Sequence, residues 1–238
     1  MTATLNPEMT VGAFVAERPA RSRVFEKLGI DYCCGGKKPL AEVCARRNLR
    51  VEDVLQLIEA ADAGPEEPAV QPARMTLAEL CDHIEQTHHA LLRRELPRLA
   101  AMIEKVLNAH GQSYPWIQAL QQVFHGLADE LFSHMMKEEQ ILFPLVRKLE
   151  AGDPSAAPMI AAEHGPIHCM EAEHDSAGDA LARMSELTVV YTPPQGACNT
   201  FRAMLDGLRE LELDLHQHIH KENNILFPRA QEQARALV

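Results

Sequence analysis

Two stretches of this 238-residue chain repeat one frame: His134-Met-Met-Lys-Glu138 opens a run ending Ile-Leu-Phe-Pro144, and His218-Ile-His-Lys-Glu222 opens one ending Ile-Leu-Phe-Pro228. The offset is 84 residues, and each copy contains His-x-x-x-Glu. Residues i and i+4 of a helix share a face, so each His and Glu address one spot. A further histidine precedes each copy, His89 by 45 residues and His174 by 44. Together these are four imidazoles and two carboxylates, a donor set that suits a pair of iron or manganese ions better than one zinc. A carboxylate buried without a countercharge is costly, and these apolar stripes offer no Lys or Arg at neighbouring buried positions. Bound cations resolve that cost. If Glu138 and Glu222 bridge, each ion receives two nitrogens and two oxygens. An oxo or hydroxo bridge adds a fifth ligand, leaving one position per ion for a small molecule such as O₂ or NO. The pattern differs from ferritin-like sites, which use Glu-x-x-His.

His88 shares a face with Ile84 and Leu91, whereas His89 shares one with Leu92, Leu96 and Leu99; the repeat spacing favours His89 by one residue. His216 and His220 flank His218 at two residues and are expected to be exposed. His164 and His168 are at best neighbours of the ligands, and His83, His110 and His125 have no counterpart in the repeat. Ligating imidazoles donate their second N–H to an acceptor, for which Glu130, Glu173 and Asp214 are candidates.

A second chemical feature is Asp31-Tyr32-Cys33-Cys34-Gly35-Gly36-Lys37, two adjacent thiols in a Gly-rich turn beside Lys37 and Lys38. Nearby positive charge favours thiolate, which opens redox cycling or soft-metal binding; plain burial is the structural alternative. Cys44, Cys81 and Cys169 fall on helical patterns and are expected in the core. Six cysteines in a chain of this length lack the density of a secreted disulfide scaffold and read as cytosolic thiols.

The elements that must position these residues are helical. Residues 1–60 carry short amphipathic patterns around Val11/Phe14/Val15, Val24/Phe25/Leu28, Leu40/Val43/Cys44 and Val51/Val54/Ile58, and read as a small helical domain. Its core is small enough for docking onto the rest of the chain to be expected. An Ala/Pro/Glu-rich linker is expected over 61–75. From residue 76 to 238 four long helical patterns follow. The first is capped by Thr76 with Glu79 and contains Pro97, expected to kink it. The second has its apolar stripe at Leu120, Phe124, Leu127, Leu131, Ile141 and Leu145, the third runs from Ile167 to Met184, and the fourth from Phe201 to Ile225. Both His-x-x-x-Glu helices are expected to change course at Pro144 and Pro228. The fold class is all-α, an antiparallel four-helix bundle preceded by a small helical domain. All twelve histidines lie in the bundle segment. A formal charge of −11 argues against nucleic acid, and neither a secretory leader nor a membrane span is expected.

The motifs at 31–37, 133–144, 170–175 (MEAEHD) and 222–228 together resemble the Repair of Iron Centres family, the YtfE/ScdA-type proteins, over nearly the whole chain. The resemblance implies an ScdA-type N-terminal domain joined to a hemerythrin-like domain, and a non-haem pair of iron ions held by His89, His134, Glu138, His174, His218 and Glu222. It implies a thiol role for Cys33 and Cys34. It further implies a cytoplasmic stress-response protein acting on iron–sulfur proteins damaged by nitric oxide or peroxide, through iron delivery or through reduction of NO to N₂O. Oxygen-carrying hemerythrins use one histidine more, so a more open and labile site is expected here. The rival from another class is a di-iron O₂, NO or redox sensor acting through a partner. A homodimer is compatible with either.

Overall fold

The computed structural model describes residues 5–63 and 71–237. Four short helices come first, α1 (Val11–Glu17), α2 (Ser22–Leu28), α3 (Leu40–Arg46) and α4 (Val51–Asp62). The expected linker over 61–75 is entered by α4 at one end and by a 3₁₀ turn at Pro72–Arg74 at the other; residues 64–70 of it lie outside the described residues. Then come α5 (Leu77–Ile84), α6 (Ala90–His110), α7 (Trp116–Lys137), α8 (Phe143–Glu150), the short α9 (Ala157–Ala161), α10 (Pro166–Leu187), α11 (Asn199–Lys221) and α12 (Phe227–Arg235). No strand occurs among the described residues. The fold is all-α, as the periodicity requires.

The start of α5 is fixed as the sequence indicates. Thr76 Oγ1 accepts from Glu79 N at 3.1 Å, and the Glu79 carboxylate accepts from Thr76 N at 2.8 Å. Glu150 at the end of α8 accepts from Leu77 N and Ala78 N at 2.6 and 2.8 Å, satisfying two more first-turn amides and tying the helices together. In the bundle α6 packs on α7 and α11, and α7 packs on α10. One core, with Leu99, Phe124, Leu181, Phe201 and Leu208 at its centre, fills the α6/α7/α10/α11 bundle; a second, around Phe143, Ile160 and Phe227, fills the other end. α6 runs through Pro97 as a single helix.

Three π turns interrupt the long helices, at Glu85–His89, Glu138–Leu142 and Glu222–Leu226, joining α5 to α6, α7 to α8 and α11 to α12. Each admits one extra residue and so rotates the following face by about 100°. This corrects the apolar stripe of the second helix: Ile141 is 49% exposed and Leu145 only half-buried, while Leu142, Phe143 and Val146 take their places in the core. The same rotation accommodates Pro144 and Pro228. Inside a continuous α-helix their rings would collide with the carbonyl four residues back. Directly after a π turn each stands in the first turn of α8 or α12, where no N–H is needed.

The N-terminal helices hold their own core of Phe14, Phe25, Tyr32, Leu40 and Ile58. Arg21 clasps it, with Nη2 donating to Asp62 at 2.8 Å, Nη1 to the Phe14 carbonyl at 3.2 Å, and the guanidinium over the Phe14 ring. The turn at residues 32–36 docks on α11 and the π turn after it. Asn224 Nδ2 donates to the Cys33 carbonyl at 3.0 Å and Gln217 Nε2 to the Tyr32 hydroxyl at 2.8 Å. A Cβ on Gly36 would lie 2.4 Å from Asn224 Oδ1 and 2.5 Å from the Tyr32 carbonyl, so the close approach requires glycine there. Docking overturns one expectation. His220 is buried and His216 half-buried, because Tyr32 covers that face of α11 with its ring edge-on to both.

Candidate metal centre

Between the two bundle cores six polar side chains converge. His89, Glu138, His218 and Glu222 form one group and His134, Glu138, His174 and Glu222 a second, each with its ligand atoms within 4.8 Å of one another. The two carboxylates are shared by both groups. All six residues are buried, Glu138 and Glu222 completely. Each group takes one histidine from each half of the repeat, so neither half can complete a site alone.

The donor set fits cations. His134 Nδ1 faces Glu173 Oε2 at 2.9 Å, His89 Nδ1 faces Glu139 Oε1 at 2.7 Å, and His174 Nδ1 faces Asn223 Oδ1 at 2.8 Å. With Nδ1 donating, each neutral ring presents a lone pair on Nε2. Those lone pairs point at one another and at carboxylate oxygens: His134 Nε2 lies 3.1 Å from His174 Nε2, His89 Nε2 lies 3.2 Å from Glu138 Oε2, and His174 Nε2 lies 3.1 Å from Glu222 Oε2. Glu138 Oε1 and Oε2, Glu222 Oε2 and His89 Nε2 are buried without a hydrogen bond of acceptable geometry. Acceptors facing acceptors in a dry interior repel, and positive ions among them are what such a set accommodates. Nitrogen and carboxylate oxygen without thiolate suit first-row ions that prefer more than four ligands.

Without an ion, protons supply the positive charge. Burial works against a charged His134, yet Glu138 and then Glu222 outweigh it and hold the imidazole at about 10; His89 is raised in the same way, chiefly by Glu138. Burial opposes charge on Glu222, but His218 and His174 outweigh it and hold the carboxyl well below the usual range. An ion entering here competes with protons.

Two orienting acceptors escape a sequence reading. Glu139 and Asn223 follow Glu138 and Glu222 by one residue and are 84 residues apart, so the repeat carries them. Each aligns the preceding lone histidine of its own half, and Arg93 Nη2 braces Glu139 at 2.6 Å. Of the expected acceptors, Glu173 serves His134, Asp214 serves His88 at 2.9 Å, and Glu130 accepts from Ser176 instead. His89 joins the cluster and His88 does not; the π turn through both is why both are buried. His164 and His168 pack on each other away from the cluster.

A cavity of about 10 Å³, room for one water-sized molecule, adjoins the cluster. His134, His174 and His218 meet it on one side, Leu131, Ala177, Leu215 and Ile219 form apolar walls, and Glu130 and Glu173 stand at its edge. The vicinal cysteines meet α10 at the backbone of His174. Cys34 Sγ is 3.5 Å from the His174 carbonyl and 3.9 Å from Cys33 Sγ. The expectation of a thiolate promoted by lysine fails for Cys33. Its bond to Cys34, burial and Asp31 raise the thiol well above its ordinary value, while Lys37 pairs with Glu171 at 2.6 Å. Cys44 and Cys81 are buried as expected, whereas Cys169 is exposed beside Glu173. All six cysteines are free.

Comparison with known proteins accords with this geometry. Residues 82–230 match the Hemerythrin HHE cation binding domain, and residues 7–62 match ScdA_N, a domain of unknown function. The iron-sulfur cluster repair protein YtfE of Escherichia coli O157:H7 is 42% identical over 225 residues, covering 94% of this chain and 96% of that protein. The protein of that name from Yersinia pseudotuberculosis is 38% identical over 224 residues, covering 93% and 96%. With both domain types in order and that identity across nearly its full length, the chain belongs to the YtfE family of ScdA_N–hemerythrin proteins.

Proposed function

We propose that His89, His134, His174 and His218, with Glu138 and Glu222 bridging, hold two iron ions, and that the protein serves iron–sulfur cluster repair, the role that its relatives' name states. The observation that carries this is the shared pair of fully buried carboxylates, three of whose four oxygens have no hydrogen bond and which face only imidazole nitrogens, a set that metal ions would satisfy. Iron pairs of this kind supply ferrous ions or two electrons. The reading divides 1–60 and 76–238 into a docking domain and a metal domain, with Cys33 and Cys34 brought against the bundle beside His174. It places the protein in the cytoplasm, where free thiols and damaged clusters coexist. No described helix is long and apolar enough to cross a membrane.

Iron delivery is the activity the donor set favours, because it contains no thiolate and leaves His218 Nδ1 without a partner. Ferrous-loaded protein mixed with an apo-cluster acceptor should rebuild the acceptor's cluster in the presence of sulfide, and a chelator trap should capture less iron than is transferred. Transfer no faster than from free ferrous iron would remove this reading. The small apolar-walled cavity supports a second activity, reduction of two NO to N₂O and water with two electrons from the iron pair and two protons. Headspace analysis after NO addition to the diferrous protein tests it, and absence of N₂O would remove it.

A further inference from the structure

Besides Glu139 standing opposite Asn223, the repeat around the centre departs from symmetry at one more position. In the first half Lys137 Nζ and His134 Nδ1 both bond Glu173, the residue before the lone ligand His174. The residue before the other lone ligand, His89, is His88, and the counterpart of Lys137 is Lys221. There Lys221 Nζ donates to His88 Nε2 at 2.5 Å, and the His88 ring lies parallel to His218, centroids 5.1 Å apart, at 3°. An imidazole that stacks has replaced a carboxylate that accepts. His218 Nδ1 is therefore buried with no partner, while His134 Nδ1 is clamped. Ligand orientation by such acceptors is a main control on metal affinity.

The substitution also builds a path. His88 is held by Asp214, whose Oδ2 is buried and unpaired, and its ring meets His83 edge-on at 6.1 Å. His83 and Lys221 in turn line a cavity of about 150 Å³ together with Gln217, His220, Val15 and Pro72, between the bundle and the N-terminal helices. Imidazoles and a carboxylate thus run from His218 toward this cavity, and the Lys221 ammonium sits on the His88 Nε2 lone pair midway along it.

We infer that the two ion positions are unequal: the ion between His89 and His218 is the exchangeable one, it leaves and enters past His88, and Lys221 is the gate. This rests on the two-iron reading above and adds which ion moves and by what route. His88 and Lys221 are positioning residues here, acting on the ion through His218 and through the path.

The test is release of ferrous iron from full-length anaerobically loaded protein into an excess of a colorimetric ferrous chelator. Wild type should show two phases of equal amplitude. Lys221→Met, which removes the ammonium and keeps the stem, should quicken the fast phase alone. His88→Glu, which restores the carboxylate of the other half, should slow that phase by about tenfold. Glu173→His should quicken the slow phase, and serves if His88→Glu fails to fold. A single phase in wild type, or rates unmoved by Lys221→Met and Glu173→His in protein carrying two ions, overturns the inference. Wild-type protein that never takes up two ions instead sinks the two-iron reading, so the two failures are distinct.

Discussion

The same substitution, glycine to alanine, should have opposite signs at two positions of this protein. Gly36 lies where the turn at residues 32–36 meets Asn224; an added Cβ would stand 2.4 Å from Asn224 Oδ1 and 2.5 Å from the Tyr32 carbonyl. Asn224 could swing aside, but only by giving up its bonds to the Tyr32 and Cys33 carbonyls at 3.3 and 3.0 Å. The Tyr32 carbonyl is backbone and cannot. Losing two hydrogen bonds is worth about 1 kcal/mol each, and overpacking adds about 1–3 kcal/mol, for a total of about 3–5 kcal/mol. Gly126, exposed within α7, has no atom within 4 Å of where an added methyl would sit, so Gly126→Ala should stabilise by about 0.5–1 kcal/mol through helix propensity alone. With a urea slope of about 3 kcal/mol/M, Gly36→Ala should move the earliest unfolding transition of metal-free protein down by about 1 M or more, and Gly126→Ala should raise the bundle's midpoint slightly. Circular dichroism during urea titration reads both. If Gly36→Ala proves as stable as Gly126→Ala, the cysteine turn does not dock on the bundle through Asn224.

Metal loading should release protons: His134, held at about 10, is charged at pH 7, so each ion that binds it expels a proton, and apparent affinity should fall about tenfold per pH unit on acidification below that value. Calorimetric heats that do not change with buffer ionisation enthalpy would contradict this. Asn223→Ala and Glu139→Ala should each weaken metal binding by about 10–100-fold with little change in helix content, as judged by competition with a chelator. Equal affinities in variant and wild type would show that His174 and His89 need no orienting acceptor. In thiol alkylation at neutral pH, the exposed Cys169 and Cys198 should react well before Cys33, which is buried and raised; peptide mapping after brief treatment gives the order. Prior labelling of Cys33 would mean that the turn undocks readily.

The helices and the six cluster residues are legible in the sequence because duplication turns weak signals into a joint one. A single histidine on an apolar stripe is ordinary, but two copies of His-x-x-x-Glu with matched upstream histidines are not. The π turns are hidden, since nothing in the composition of Glu85–His89 or Glu138–Leu142 separates them from α-helix, and they move Ile141 and Leu145 out of the core. Glu139 and Asn223 are carried by the repeat yet give no signal, as a residue one step beyond a ligand belongs about 100° round an ordinary helix. His216 and His220 defeat periodicity for a different reason: what covers them is Tyr32, far away in sequence, and a helical pattern carries no trace of such a contact.

The π turns and the buried carboxylates belong to one design problem. A straight α-helix that places His134 and Glu138 on the inner face puts the next inner position at Ile141, and the residue after Glu138 faces away. Opening the helix by one residue at Glu138 lets Glu139 reach His89 while Glu138 still faces the cluster, and the same opening at Glu222 lets Asn223 reach His174. Each π turn weakens local helix geometry, and each fully buried carboxylate costs desolvation that neighbouring imidazoles must offset. Those costs are concentrated between two apolar cores that flank the cluster on both sides, so the bundle can hold an electrostatically unfavourable centre in place until cations neutralise it. A cluster preorganised in that way could take ions without reorganising the fold. The two halves of the cluster differ where the symmetry of the repeat fails, at His88 opposite Glu173 and at Glu139 opposite Asn223.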